Sequence, residues 1–322
     1  MSARHPLLAV VLLGLTACQA TAQAPVRITC AGGPTSRVVL DSTRLMSDLS
    51  ALAADSMEGR AMGTAGGARA RQMLVARMAA IGLDTLPSGR LQPFTAPGGH
   101  ADGANVIGVV PGRSAGGRVI LLTAHYDHLG VRNGAIYNGA DDNASGTAAL
   151  LAIGTWLHAH PPEHTVVLVA FDGEEEGLLG AAAFVASGLV PADSMLIDLN
   201  MDMVSRSERR ELFAVGPARY PALRPYLARA ACSAGVNLML GHDKGASGSE
   251  DWTMQSDQGA FETLGVPFIY FGVEDHPDYH KPSDDVARID PGFFLGAAES
   301  VAQVLVQVDA NPAAALTARK AT

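Results

Sequence analysis

Short apolar runs alternate with longer amphipathic stretches along most of the chain. "NVIGVV" (105–110), "RVILLTA" (118–124), "TVVLVAF" (165–171), "SMLIDLN" (194–200), "ELFAVG" (211–216), "NLML" (237–240) and "PFIYFG" (267–272) read as strands. Helical spacing falls between them. It runs from a cap at Asp41 or Ser42 to about 54, and over 68–82, where Gly82 stops it. It recurs over 144–160, ended by Pro161 and Pro162, then over 177–188, about 220–234 and about 291–308. The strands are apolar throughout rather than alternating, so both of their faces are buried. The pattern predicts an α/β fold: a three-layer α/β/α sandwich around a mixed, largely parallel central sheet. No repeat or convincing linker interrupts it, and one catalytic domain is expected over 41–310, followed by a tail over 311–322.

The N-terminus has a different pattern. Arg4 precedes the apolar run "LLAVVLLGL", which has signal-peptide length, and "LTAC" (15–18) follows. This segment resembles the lipobox of bacterial lipoproteins, in which cleavage precedes the cysteine and its thiol receives a lipid. That resemblance implies a signal peptide over 1–17 and a lipid anchor at Cys18, and the Ala-, Thr-, Gly- and Pro-rich composition that follows predicts a flexible tether over 18–40. The expected location is the periplasmic face of an outer membrane; the alternative is an ordinary signal peptide cut after Ala22, giving a soluble periplasmic or secreted protein. Cys30 and Cys232 remain, and in an oxidising compartment they either pair or stay free.

The net charge of -9 and the lack of a basic run exclude binding to nucleic acid by bulk electrostatics. The informative polar residues lie at strand ends, where open α/β sheets bind ligands. "RVILLTA" leads into His125, Tyr126 and Asp127; "NGADDNASG" carries Asp141 and Asp142. "TVVLVAF" leads into Glu174, Glu175 and Glu176, "SMLIDLN" into Asp202, and "PFIYFG" through a loop into Tyr279 and His280. Adjacent carboxylates at the end of a buried strand repel one another, and burial increases the cost. Two histidines and several carboxylates, without cysteine, suit a hydrolytic zinc site, and two divalent cations would offset the repulsion.

Taken singly, these residues have plainer readings. Asp141 or Asn143 could cap the helix that follows them, and Glu174 to Glu176 could be a charged loop or the first turn of the next helix. Taken together, "TAHYDHLG", "YNGADDNASGTAALL", "FDGEEEGLLG", "NMDMVS" and "HPDYHKPSDD" resemble, in order, the motifs of the co-catalytic di-zinc aminopeptidases. That family includes glutamate carboxypeptidase II and the transferrin receptor ectodomain. "MEGRAMGT" is similar to a segment the family carries upstream of its first ligand, and the likeness spans about 45–310.

The resemblance implies two Zn2+ ions and peptide substrates. His125 and Asp202 would hold one ion, Glu175 and His280 the other, and Asp141 would bridge them. Glu174 would be the general base, Asp127 would orient His125, and Tyr279 would assist the substrate carbonyl. In the family the bond after the bridging Asp is often cis, here Asp141–Asp142. His276 would shape the loop around His280, while His100, His164 and His242 are expected at the surface. "KGASGSEDW" reads as a loop bordering the cleft. Exopeptidase action is implied by the resemblance alone. Carboxypeptidase or deacylase hydrolysis, glutaminyl cyclisation and a non-catalytic binding module are the alternatives.

Overall fold

The computed structural model describes residues 24–32, 37–99, 102–114, 117–243 and 248–318. The signal peptide and the lipid-bearing Cys18 lie outside those residues, as does His100. The strands are β1 (Val26–Arg27), β2 (Leu91–Thr95), β3 (Asp102–Val110), β4 (Val119–His125), β5 (Gly130–Arg132), β6 (Ala135–Tyr137), β7 (Thr165–Phe171), β8 (Met195–Met201), β9 (Glu211–Val215), β10 (Asn237–Leu240) and β11 (Phe268–Gly272). The helices are α1 (Ser42–Leu52), α2 (Ala65–Ile81), α3 (Gly146–Ala159), α4 (Leu179–Ser187), α5 (Arg224–Ala230), α6 (Gln258–Glu262), α7 (Pro291–Ala310) and α8 (Ala313–Ala318).

Nine strands form one mixed sheet in the order β1-β10-β9-β11-β8-β4-β7-β3-β2, and β5 and β6 make a separate hairpin. The central β11, β8, β4 and β7 run parallel, so their carboxyl ends share one edge. Period-two geometry sends their apolar residues to opposite faces. Ile120, Leu122 and Ala124 join Val166, Leu168 and Ala170 under the layer containing α1, α2, α3 and α7. Leu121, Val167, Val169 and Phe171 face the other way, against Phe184 of α4 and Phe261 of α6. That aromatic trio has ring centroids 5.8–6.2 Å apart. Each ring buried there contributes about 1.5–3 kcal/mol through removal of apolar surface from water.

The expected helix starts and stops hold locally. Asp41 caps α1 by accepting from the Arg44 N–H at 3.0 Å, and Gly82 closes α2 in the left-handed conformation. Asp290 accepts from the Gly292 and Phe293 N–H groups at the start of α7. This helix is long and apolar enough to cross a membrane, but most of it is buried against α1, α3 and α5.

Several elements depart from the expectation. The helix placed over 220–234 is shorter, because Arg224–Ala230 follows a single tight turn at Pro221–Leu223. The described part of the expected tether is held against the body: Val26 and Arg27 pair with Leu240 and Met239, and the Ile28 N–H donates to Leu238 O at 2.8 Å. Cys30 is disulfide-bonded to Cys232, with Cα atoms 4.5 Å apart, which settles the open pairing. The expected tail also packs, with the Tyr226 hydroxyl donating to Asn311 O and accepting from the Ala315 N–H.

Candidate metal centre and active site

His125 is the last residue of β4, and Asp202 directly follows β8 on the neighbouring parallel strand. Their side chains meet, with His125 Nε2 3.1 Å from Asp202 Oδ1. The bend after β7 brings Glu174 and Glu175 to the same edge, and the loop after β11 delivers Tyr279 and His280. A wide helical turn over Ala140–Ser145 precedes α3, and within it Asp142 and Asn143 leave helical backbone angles.

This turn corrects one expected ligand. The carboxylate between the histidines belongs to Asp142, not Asp141. Asp142 Oδ1 is 3.5 Å from His125 Nε2, and its Oδ2 is 3.1 Å from His280 Nε2. Asp141 turns away: its Oδ1 accepts from the Ser205 N–H at 2.8 Å and hydroxyl at 2.6 Å, and its Oδ2 lies 3.2 Å from His276 Nε2. Asp284 fixes the turn from behind, accepting from the Asp141 and Asp142 N–H groups at 3.1 Å. The cis bond moves by the same single residue and is Asp142–Asn143 rather than Asp141–Asp142.

Glu175 Oε2 lies 3.3 Å from His280 Nε2, so Asp142, Glu175 and His280 meet on one face of the centre, where ligand atoms of His128, Asp142 and Glu175 also lie within 4.8 Å of one another. On the other face, ligand atoms of His125, Glu174 and Asp202 lie within 4.8 Å of one another. Asp127 serves both faces from below. Its two oxygens accept the Glu174 and Glu175 N–H groups at 3.1 and 3.3 Å, and Oδ1 is 3.7 Å from His125 Nδ1. Tyr279 stacks on the His280 ring, with centroids 3.9 Å apart.

His128 was not singled out in the sequence. Its Nδ1 is 2.6 Å from Glu175 Oε1, and the side chain is fully buried. The available signal was position, three residues beyond His125 in the same strand-end segment. His242 is another correction: the side chain is 7% exposed, stacked flat on Trp252 at 3.6 Å and 3.1 Å from Glu274. His164 is half-buried and paired with Asp309 at 3.1 Å. Of the segment "KGASGSEDW", residues 244–247 lie outside the described residues, and Trp252 lines the cleft.

The electrostatics show what the donor set needs. Burial, reinforced by Glu175, raises the Asp142 carboxyl, and burial pushes Glu174 well above the usual carboxylate range. Burial opposes a charge on Glu175 too, but the contacts from His128 and His280 prevail and hold it far below that range. Burial would lower His280, yet Asp142 and Glu175 raise it to about 10. Buried carboxylates this close to one another call for positive charge among them, which a divalent cation supplies. An all-nitrogen-and-oxygen donor set, with one carboxylate aiming separate oxygens at two histidines, fits divalent zinc.

The cleft above these residues is about 60 Å3, with Met203, Trp252, Gln255 and Tyr270 in its walls. It shares Val273 and Asp275 with an adjoining cavity of about 500 Å3 lined by Arg206, Arg209 and Arg288.

A mixed α/β/α sandwich with a carboxylate–histidine centre at its parallel strand ends defines a metallopeptidase-type domain. The model of peptidase family M28 matches residues 105–305, which contain every residue of the centre, and the chain belongs to that family. The chain is 31% identical over 206 residues to the aminopeptidase YwaD of Bacillus subtilis, covering 62% of this chain and 37% of that one. It is 29% identical over 182 residues to a probable zinc metalloprotease of Pyrenophora tritici-repentis, covering 52% and 36%. The chain therefore spans little more than a third of the length of these curated relatives.

Among solved structures, BSAP, a zinc aminopeptidase from Bacillus subtilis, superposes with a TM-score of 0.70 at 17% identity, over 83% of this chain and 95% of that one. A glutaminyl cyclase from Bacteroides thetaiotaomicron superposes at 0.66 with 18% identity, over 84% and 99%. At these identities the likeness is one of fold.

Proposed function

We propose that the protein is an exported zinc aminopeptidase that hydrolyses N-terminal residues of peptides. The observation that carries this reading is the Asp142 carboxylate, whose two oxygens face His125 and His280 separately. Two zinc ions sharing Asp142 would be held by His125 and Asp202 on one side and by Glu175 and His280 on the other. When bound, such ions lower the pKa of water by several units and polarise a substrate carbonyl.

Glu174 is placed beside His125 and Asp202, free of the His280 contacts that occupy Glu175. Burial alone favours its neutral form, and the positive charge of bound ions would restore the carboxylate, which takes the proton of the attacking water and passes it to the departing amine. Asp127 holds both glutamate amides, so the base and its neighbour keep a fixed spacing. The Tyr279 hydroxyl is kept protonated, as burial and the nearby carboxylates of Asp142 and Asp202 push it upward. It is thereby a hydrogen-bond donor for the oxyanion that forms as the carbonyl is attacked. The names of the relatives YwaD and BSAP support removal of N-terminal residues. Export is supported by the disulfide between Cys30 and Cys232, a bond suited to an oxidising compartment, and by the apolar N-terminal segment.

The test is a comparison of aminoacyl-p-nitroanilides with an N-terminal glutamine peptide on zinc-loaded protein. Release of nitroaniline supports the proposal; product arising from the glutamine peptide alone, by cyclisation, overturns it. Incorporation of labelled lipid at Cys18, abolished by Cys18→Ser, tests the anchor.

A further inference from the structure

The segment "MEGR" lies outside the residues that hold or activate anything in the reading above, yet its arginine is the largest fully buried side chain among the described residues. Among the described residues, Arg60 has no carboxylate partner within ion-pair distance. Its guanidinium instead donates to four backbone carbonyls: Nε to Tyr126 O at 2.8 Å, Nη1 to Leu52 O at 2.9 Å and Asn138 O at 2.6 Å, and Nη2 to Gly139 O at 2.9 Å. Tyr126 lies between His125 and Asp127, while Asn138 and Gly139 lead into the turn carrying Asp142. One planar fork therefore ties together the two segments that supply one metal ligand each and the carboxylate below them.

Reaching that position requires an unusual path. Glu58, Gly59 and Arg60 all have positive φ, at 49°, 66° and 55°. Gly59 has no room for a side chain: a Cβ would lie 2.4 Å from Tyr137 O and 2.6 Å from Gly130 O. A buried guanidinium with no paired anion is costly, so its position calls for a role that a neutral residue cannot fill. Carboxylates supply the field it answers: burial lowers Arg60 to about 10, with Asp142, Asp127, Asp284 and Glu175 opposing that fall.

We propose that Arg60 is a positioning residue of the metal centre, clamping the His125–Asp127 segment to the Asn138–Asp142 segment and so setting the His125-to-Asp142 spacing that holds the metal. The inference rests on reading those residues as metal ligands, and the two can fail separately. If zinc titration of the full chain shows no binding by the wild type, the metal reading fails. If the wild type binds zinc, the clamp is tested by Arg60→Met, which removes charge and fork, and Arg60→Lys, which keeps the charge. Gly59→Ala leaves the guanidinium intact but displaces it.

For each variant the zinc-free protein is checked by circular dichroism and melting temperature. Zinc affinity is then measured against a chelator, and kcat and KM are measured separately. The expected result is zinc held at least tenfold more weakly in Arg60→Met and Gly59→Ala, with Arg60→Lys in between, and kcat falling more than KM rises. A folded Arg60→Met with a lower melting temperature but wild-type zinc affinity and kcat would assign Arg60 to fold stability alone and overturn the proposal. If Arg60→Met does not fold, unchanged zinc affinity in Arg60→Lys and Gly59→Ala overturns it equally.

Discussion

Glu174→Gln separates the two jobs available to adjacent glutamates. The substitution keeps the volume of the side chain and leaves the backbone fixed, because Asp127 Oδ1 holds the Glu174 N–H rather than its carboxyl. Glutamine cannot accept the proton of water, and a general base of this kind contributes about 10²–10⁴-fold to rate. That corresponds to about 3–5 kcal/mol of barrier. Two zinc ions per chain should remain, because Asp142, Glu175 and His280 form one face without Glu174, and Asp202 stays 3.1 Å from His125 on the other. The assay is kcat and KM on an aminoacyl-p-nitroanilide, with zinc counted on the same preparation. A kcat within tenfold of wild type at full zinc would remove Glu174 from proton transfer. Loss of one zinc would instead make Glu174 a ligand beside His125 and Asp202 rather than the base.

Asp141→Ala should leave the zinc count unchanged and cost about 1–3 kcal/mol of stability, since the buried Ser205 N–H and hydroxyl lose their acceptor; chemical denaturation with zinc analysis checks both. Asp198, raised by burial to about 7 despite the Thr123 hydroxyl bonded to it, favours the protonated form when folded. The folded state then binds more protons than the unfolded one between about pH 4 and 7, so stability falls as pH rises through that window. Asp198→Asn should remove a stability change on the order of 4 kcal/mol at most across that window, and an unchanged pH profile of denaturation would contradict it. Cys30→Ser should cost about 2–5 kcal/mol, because the disulfide links residues 202 apart in the chain; a melting temperature equal to wild type under oxidising conditions would show that β1 alone secures the arm.

The legible parts of the fold were those written in local periodicity. The apolar runs at 118–124, 165–171 and 194–200 became β4, β7 and β8 nearly residue for residue, and Asp41 and Gly82 bounded their helices. Strand ends could then be enumerated, which exposed His125, Glu174, Glu175, Asp202 and His280. Elements stabilised by tertiary contacts were not legible. Val26 and Arg27 form a strand because Cys30 and β10 hold them, and α6 is a five-residue helix whose Phe261 packs on Phe171 and Phe184. The choice between Asp141 and Asp142 depended on the turn over Ala140–Ser145, whose departure from helical angles decides which carboxyl points at the histidines. Composition cannot distinguish two identical neighbours. His128 and Arg60 act through partners distant in sequence, at Glu175 and at the 138–139 carbonyls, so spacing alone assigned them nothing.

Zinc per chain, counted on wild type and on Asp142→Ala after equilibration with excess metal and desalting, tests the shared-carboxylate centre most directly. Two ions are expected in the wild type and fewer than two in Asp142→Ala, with hydrolysis lost. Two ions retained in Asp142→Ala, or a single ion in fully active wild type, would contradict that expectation.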